Sequence, residues 1–140
     1  MSKDNVEVVR ALVELWNAGA RETLAEYVDP AIEFETPFSS VSGKPYRGHA
    51  GVERWLLDID EQFSVWRIRL DEVRGAGAAV IALGSVHGKG RGSGIEIDQP
   101  NAMVAEFTPD HRIIRARIDL DVDAVLAGWQ ARTAGSAGSD

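Results

Sequence analysis

The stretch that decides the fold is RIIRARIDLDV, residues 112–122, in which charged and apolar side chains alternate. Neighbouring residues of a β-strand face opposite sides of the sheet, whereas residues two apart share a side. The alternation therefore predicts a half-buried strand whose charged row faces outward and pairs along the sheet, so its aspartates are not expected to be catalytic. The outward row is Arg115, Arg117, Asp119 and Asp121, and the inward row is Ile114, Ala116, Ile118 and Leu120.

Strand patterns also fill much of the chain before this stretch. Apolar and polar residues alternate in AIEFETPF (31–38) and SVWRIRLDEV (64–73), and shorter strands are predicted at GIEI (94–97) and NAMVAEF (101–107). The segment AAVIALGSVHG (78–88) is apolar at successive positions, which predicts a strand with both faces covered.

Helical spacing of apolar residues predicts three helices in the N-terminal half. The first ends at the stop NAG (17–19), a short second helix occupies 20–28, and the third carries an apolar stripe that ends at Phe63. The segment 39–48 is predicted to be a loop, and 122–129 a short terminal helix or a turn. Since no helices connect the later strands, the sequence predicts an α+β fold, with helices packed on one face of a curved, mostly antiparallel sheet.

Length and composition describe one globular domain. The chain has 140 residues, of which 44% are hydrophobic and 26% charged, and this balance is typical of a folded protein rather than a disordered one. We expect a single domain over residues 1–130. The segment ARTAGSAGSD (131–140) is small and polar, and we expect it to be a disordered tail.

The net charge, the lack of cysteines and the spacing of the histidines argue against several classes of function. Fifteen basic against 22 acidic residues give a net charge of −7, so nucleic acid and an anionic membrane surface are not expected partners. There are no cysteines, and the three histidines lie too far apart to suggest a metal site. No cofactor is expected. No apolar run approaches the ~18 residues of a membrane span, and a cytoplasmic location is expected by default.

Four segments together resemble the SnoaL-like branch of the NTF2-like superfamily. They are WNAGA (16–20), YVDPAIEFETP (27–37), YRGHAGVERWL (46–56) and FTPDHRIIRARIDLDVDAVLAG (107–128). The resemblance covers roughly residues 5 to 128. It implies a cone, in which a strongly bent sheet wraps around the helices and leaves a pocket between them. Members include ketosteroid isomerases, polyketide cyclases, limonene-epoxide hydrolases and binding proteins without catalysis, so the fold alone does not choose a function.

The resemblance also implies where catalytic acids would lie, and these positions hold other residues here. The general base of the isomerases corresponds to Thr36, whose hydroxyl does not accept a proton near neutral pH. Their protonated aspartate corresponds to Met103, or to Ala102 if the alignment shifts by one residue, and their tyrosine to Leu12. The acid that cyclases and epoxide hydrolases carry on the last long strand corresponds to Ile118.

A few polar and aromatic residues remain as candidates for a site. His87 is the one plausible general base, although a histidine at the sheet rim or at a dimer interface explains it better. Asn101 either faces the pocket or is an edge residue after Pro100. Tyr46 either covers the pocket mouth or packs within its loop.

The sequence therefore predicts a protein that binds a small, largely apolar molecule in its cone. The alternative is an isomerase, cyclase or hydratase acting on a polycyclic or terpenoid-like substrate, with His87 as base. A homodimer through the outer sheet face is expected, because 78–88 is apolar on both faces. The predicted pocket lining is Leu12, Trp16, Phe34, Thr36, Tyr46, Trp55, Asn101, Met103, Ala116 and Ile118, with His87 as a further polar group.

Overall fold

Six strands, three α-helices and one 3₁₀ helix form the part of the chain, residues 2–37 and 45–137, that a computed structural model describes. Three helical segments precede the long strands, as predicted, and the second of them is the 3₁₀ helix. The elements are α1 (Ser2–Asn17), the 3₁₀ helix (Arg21–Tyr27), β1 (Val28–Glu35), β2 (Tyr46–Arg47), α2 (Gly48–Gln62), β3 (Phe63–Ala76), β4 (Ala79–Gly90), β5 (Glu96–Phe107), β6 (Ile113–Asp119) and α3 (Val122–Ala137).

The strands form one curved sheet in the order β2-β1-β6-β5-β4-β3. All neighbouring pairs are antiparallel except β1 and β6, which run parallel. This confirms the predicted α+β class and the mostly antiparallel sheet. Because β3, β4 and β5 follow one another as hairpins, no crossover helix is needed between them.

The long β3–β4 hairpin bends at a close approach of its two strands. The register shifts between Leu70 and Glu72, which is the mark of a β-bulge. Opposite the bulge, a Cβ atom on Gly84 would lie 1.9 Å from the carbonyl oxygen of Arg69. Glycine is therefore required at this position, and it lets the sheet curve around the helices.

The C-terminus of α1 is fastened to the free edge of β3 by two adjacent side chains. Trp16 donates from Nε1 to the carbonyl oxygen of Trp66 at 2.7 Å. Asn17 donates from Nδ2 to the Ile68 carbonyl at 2.7 Å and accepts from the Ile68 N–H at 3.0 Å. Gly19, at φ 82°, then ends the helix as the NAG pattern predicts.

The N-terminus of α1 is held by the turn between β5 and β6. His111, at φ 62°, donates from Nδ1 to Oδ1 of Asn5 at 2.8 Å. Asn5 is only 3% exposed, so this hydrogen bond satisfies a buried amide oxygen.

Both faces of β4 are covered, as predicted, and the outer cover is α3. Trp129 of α3 packs with Ala79 and Ile81 on the outer face, whereas Val80 and Ala82 belong to the inner core. Successive residues of β4 thus contact opposite layers. The apolar outer residues that suggested a dimer have a partner within the chain, and the homodimer itself stays a prediction.

Helix α3 corrects the predicted tail. It continues to Ala137, so residues 131–137 are helical rather than disordered. Its first turn is capped by Asp121, whose Oδ1 accepts from the Ala124 N–H at 3.1 Å. Asp121 is therefore a helix cap and not part of the outward strand row. Residues 138–140, Phe38 and the expected loop up to residue 44 lie outside the described residues.

A bulge in β6 also corrects the predicted inward row. Arg115 pairs with Glu106 and Ile113 with Phe107, so Ile114 has no opposite residue. Ile113 is 4% exposed and packs in the core, whereas Ile114 is 36% exposed. Strict alternation thus holds only from Arg115 to the end of β6, and Leu120 lies beyond the strand.

Two predicted boundaries also change. The segments 94–97 and 101–107 belong to one strand, β5, which runs through Pro100. Pro100 is tolerated because pairing with β6 begins only at Ala102, so its missing N–H faces no partner strand. Phe63 opens β3 instead of closing the helical stripe, because α2 ends one residue earlier.

Candidate functional site

The candidate site is a cavity of about 150 Å³ between the helices and the inner face of the sheet. Helices α1 and α2 and the 3₁₀ helix form one wall, and β1, β3, β5 and β6 form the other. All fifteen lining residues are apolar. They are Val9, Leu12, Val13, Trp16, Leu24, Val28, Ile32, Phe34, Val52, Trp55, Ile68, Met103, Ile113, Ala116 and Ile118.

Three aromatic rings meet in the wall of this cavity. Trp16 and Trp55 have ring centroids 5.0 Å apart at an angle of 35°, and Phe34 meets Trp55 edge-on at 4.9 Å. The guanidinium of Arg21 lies 4.2 Å from the Trp16 ring centroid and is ion-paired with Asp60. Helix α1, strand β1 and helix α2 are thus joined by ring contacts that fix the shape of the wall.

A second, smaller cavity of about 80 Å³ lies beside the first. It adds the polar residues Arg69, Ser85 and Asn101 to the lining. Six residues line both cavities and so form the partition between them: Val9, Val13, Trp55, Ile68, Met103 and Ile118.

Seven of the ten predicted lining residues lie in the wall of the larger cavity. Asn101 lines only the smaller cavity, where its Nδ2 donates to the Gln99 carbonyl at 3.2 Å. Three of the seven lie on helices, where helical spacing predicts their direction, and four lie on strands, where side chains two apart face the same side. The seven are Leu12, Trp16, Phe34, Trp55, Met103, Ala116 and Ile118.

Of the three positions to which the resemblance assigned catalytic acids, Met103 and Ile118 are apolar and adjacent in this wall, and Thr36 is not part of it. Met103 and Ile118 are direct partners across the β5–β6 ladder, and both line both cavities. Thr36 is 8% exposed but lines neither cavity. The prediction that Thr36 lines the pocket is therefore wrong.

Tyr46 also lies outside the lining of both cavities, and its hydrogen-bond partner, Asp58, was not predicted from the sequence. Its hydroxyl donates to Oδ2 of Asp58 at 2.7 Å, and Oδ1 of Asp58 lies 3.0 Å from Nη2 of Arg54. Asp58 is 9% exposed. The i,i+4 spacing of Arg54 and Asp58 on α2 was a readable signal, but the contact with Tyr46 depends on the packing of β2 against α2.

His87 lies on the side of β4 that faces away from the cavities. Its neighbour Val86 is buried with Trp66 on the inner side. The imidazole lies 3.0 Å from Asp98 and 3.4 Å from Glu96, and its side chain is 39% exposed. This placement corrects the expectation that His87 is a polar group of the pocket, and it removes the proton acceptor named for the enzyme alternative.

The charged row of β6 lies on the outer face and pairs with neighbouring strands, as the alternation predicts. Arg115 lies 3.2 Å from Glu106 of β5. Arg117 lies 3.7 Å from Glu35 of β1 and 3.8 Å from Asp119 of its own strand. Exposed pairs of this kind contribute little to stability, and strand parity places these charges on the face away from the candidate site.

One buried hydrogen-bond donor in the cavity wall lacks a partner. Among the described residues, the buried side-chain atoms without a hydrogen bond are Trp55 Nε1 and Glu72 Oε2, and Glu72 is ion-paired with Arg74. The Nε1 of Trp16, in contrast, is used by β3. Trp55 is therefore the wall residue with an unused polar group.

The described part of the chain contains neither a candidate metal-binding cluster nor a candidate membrane-spanning helix. No group of three or more histidine, aspartate or glutamate side chains is placed to hold a metal ion within residues 2–37 and 45–137. Within the same residues, no helix has the length and apolar character needed to cross a membrane.

Comparisons with solved structures find the same fold in proteins of low sequence identity. An NTF2-like protein of unknown function from Burkholderia pseudomallei superposes with a TM-score of 0.76 at 16% identity, over 89% of this chain and 95% of that one. TerC, co-crystallised with polyporic acid, superposes at 0.74 and 18% identity, over 89% and 96% of the two chains. The epoxide hydrolase/cyclase-like enzyme SalBIII superposes at 0.73 and 14% identity, over 86% and 93%.

Identities this low show the fold and leave the activity open. A search of curated proteins finds no significant match. The family model of the SnoaL-like domain, however, matches residues 9–116, which is well over half of the chain. Because this match covers most of the chain, the chain belongs to the SnoaL-like domain family.

Proposed function

We propose that this protein binds a small, largely apolar molecule in the larger cavity and performs no acid–base chemistry on it there. The observation that carries the proposal is the lining, in which all fifteen residues are apolar. A cavity of this composition favours an apolar occupant, because water finds too few hydrogen-bond partners in it.

The absence of a proton acceptor in this wall argues against the enzyme alternative. Catalysis of isomerisation, cyclisation or hydration by a side chain needs a base or acid within hydrogen-bond reach of the reacting atom. Among the described residues, no ionisable side chain lines the larger cavity, and His87 is paired with Asp98 on the other face of the sheet. Met103 and Ile118 fill the wall where such an acid would lie.

Filling the cavity tests the proposal. Ala116 is 5% exposed and lies in the wall, so Ala116→Leu places three further carbon atoms in the cavity. We expect the affinity for toluene, measured by chemical-shift titration, to fall at least about tenfold, which corresponds to about 1.4 kcal/mol. The free energy of unfolding, measured in urea, should fall by no more than about 3 kcal/mol, the upper end of the usual cost of overpacking a core.

Two further variants make the test specific. Ala127→Leu makes the same change on the exposed side of α3 and should leave the affinity for toluene unchanged. Val52→Phe fills the cavity from α2 and should weaken binding as Ala116→Leu does. If toluene binds the natural protein and both cavity variants equally well, the cavity is not the binding site. If toluene and cyclohexane fail to bind at all, the proposed function is wrong.

A further inference from the structure

A second concave surface lies on the outer face of the sheet, between α3 and the outer residues of β6. It is a half-open groove of about 450 Å³, which we call the outer groove. Helix α3 docks on β4, where Trp129 contacts Ala79 and Ile81, so it covers only part of the outer face and leaves β6 beside it uncovered. Among the described residues, none lines both the outer groove and a cavity of the cone. The outer groove is therefore a separate candidate site.

The floor of the outer groove is apolar. Val104 of β5 and Val125 and Trp129 of α3 lie in it, and all three belong to the apolar cluster under α3. The side that α3 forms carries the small residues Ala124 and Gly128, which are one helical turn apart. A Cβ atom on Gly128 would meet no atom within 4 Å, so the space above this side is open. The groove volume lies within the range of small-molecule pockets, about 300–1,000 Å³.

The charged side chains of the outer groove are net positive, although the protein is acidic. The three arginines Arg115, Arg117 and Arg132 line the groove together with two acids, Glu106 and Asp119. The whole chain, in contrast, has a net charge of −7. Since charges are screened over about 8 Å at physiological ionic strength, a ligand in the groove responds mainly to the nearby side chains. The lining therefore complements a ligand with one negative charge.

Two of the three arginines are engaged by Glu106. Nη1 of Arg115 donates to Oε2 of Glu106 at 3.2 Å, and Nη2 of Arg132 donates to Oε1 at 3.4 Å. Each oxygen of this carboxylate thus accepts from an arginine. The negative charge of Glu106 is therefore compensated within the groove and does not repel an anionic ligand strongly.

Arg117 is the arginine whose guanidinium can accept a further carboxylate. The carboxylates of Glu35 and Asp119 lie 3.7 and 3.8 Å from it, beyond hydrogen-bond distance. Oδ1 of Asp119 instead accepts from the backbone N–H of Asp121 at 3.0 Å. Exposed contacts of this length contribute little energy, so a ligand can replace them at small cost. A guanidinium binds a planar carboxylate through two parallel hydrogen bonds, which are stronger than those between neutral groups.

We propose that the outer groove binds an apolar monocarboxylate. The carboxylate pairs with Arg117, and the apolar body lies on Val104, Val125 and Trp129. This inference goes beyond the proposed function and does not depend on it, because the cone and the outer groove lie on opposite faces of the sheet.

The experiment compares two probes of the same shape, cinnamate and its neutral amide, cinnamamide. Both are titrated into the natural protein and into Arg117→Gln, and the affinities are measured from the shifts of assigned backbone amide resonances. We expect cinnamate to bind the natural protein at least about fivefold more tightly than cinnamamide, a modest gain for a charge-assisted pair because Arg117 is exposed. Arg117→Gln should remove most of this difference. Arg67→Gln removes an exposed arginine of β3 outside the groove and should leave both affinities unchanged.

A second set of variants fills the space and leaves the charges in place. Ala124→Leu adds three carbon atoms to the outer groove from α3 and should weaken both probes at least about fivefold. Ala127→Leu makes the same change on α3 outside the groove and should have no effect. Ala116→Leu fills the cone and should also leave both affinities unchanged.

Each contrary outcome overturns a stated part of this inference. If cinnamate does not bind, or binds no more tightly than cinnamamide, the outer groove is not a carboxylate site. If Arg117→Gln weakens cinnamate no more than Arg67→Gln does, the assignment of Arg117 is wrong. If Ala116→Leu abolishes binding and Ala124→Leu does not, the probe occupies the cone. None of these results alters the toluene test of the proposed function, which concerns the other face of the sheet.

Discussion

At the scale of single residues, Asn17 takes the place of a missing strand. Strand β3 is the last strand of the sheet, so within residues 2–37 and 45–137 one side of its backbone has no neighbouring strand. The carboxamide of Asn17 makes both hydrogen bonds that such a neighbour would make to Ile68. Together with Trp16, it covers part of an edge that could otherwise pair with another chain.

Removing this carboxamide should be costly. Asn17→Ala leaves both backbone groups of Ile68 without their partner, and we expect the free energy of unfolding in urea to fall by about 1–3 kcal/mol. Asn17→Asp keeps an acceptor for the Ile68 N–H but places a negatively charged oxygen against the Ile68 carbonyl at the C-terminus of α1, so its loss should be at least as large. An unchanged stability in Asn17→Ala would show that water replaces the side chain without cost.

The sequence predicted which way a side chain points wherever a helical or strand period determines its direction. Ala116 and Ile118 follow from strand parity, and Trp16 and Trp55 follow from helical spacing. Parity also places His87 opposite Val86, but the sequence does not show which side of β4 faces the cone, since both are apolar. The pairing of Tyr46 with Asp58 was not predictable, because no local pattern connects β2 with that turn of α2.

At the scale of elements, the bends of the sheet are set by bulges that simple alternation does not reveal. The bulge opposite Gly84 curves β3 and β4, and the bulge at Ile114 shifts the parity of β6. A pattern of period two continues through a bulge only if one residue is skipped. The sequence therefore predicted that β6 exists but placed Ile114 on the wrong side.

The two glycines at positions 84 and 128 should respond oppositely to the same change. Gly84→Ala forces a Cβ against the Arg69 carbonyl oxygen, so the strands must separate, and we expect a loss of about 1–3 kcal/mol in unfolding free energy. In α3, a Cβ on Gly128 meets no atom within 4 Å, and Gly128→Ala should gain about 0.5–1 kcal/mol from helix propensity. Thermal unfolding of both variants checks this, and equal shifts in melting temperature would contradict it.

Helix α3 shows why the tail was mispredicted. The sequence of 131–137 has small, polar residues that do not indicate burial. The helix is nevertheless capped at its start by Asp121 and docked at Trp129, and it continues beyond the docked part. Once a helix has begun, each further residue adds a hydrogen bond at little cost, so a weak sequence can extend it.

At the scale of the whole molecule, the outer sheet face has two parts of different chemistry. One part is apolar and is covered by Trp129 and its neighbours on α3. The other part carries the ion pairs of β1, β5 and β6, to which α3 adds Arg132 at 3.4 Å from Glu106. Any contact with a second molecule through the uncovered part would therefore involve charged side chains.

We therefore expect the fraction of the predicted homodimer to depend on the salt concentration. A second copy related by a two-fold axis can place its arginines against Glu33 and Glu35 of the first. Such pairs are screened as ionic strength rises, so sedimentation velocity at micromolar concentration should show a dimer at low salt and less of it at high salt. Arg117→Glu should weaken the dimer, whereas Lys89→Glu, on β4 away from this row, should not. A monomer at low salt would contradict the prediction.

The fastening of α1 at both ends has a consequence for the order of folding. His111 is 106 positions from Asn5, and β3 is 50 and 51 positions from Trp16 and Asn17. Contacts between such distant positions require the closure of long loops, and they form only after that conformational entropy is lost. Helix α1 can become helical early, but its place is determined only when the sheet exists. We infer that the hairpins of the sheet form first and that α1 packs against the sheet last. A nascent chain therefore exposes the cavity-wall residues Trp16, Phe34 and Trp55 until β6 is in place.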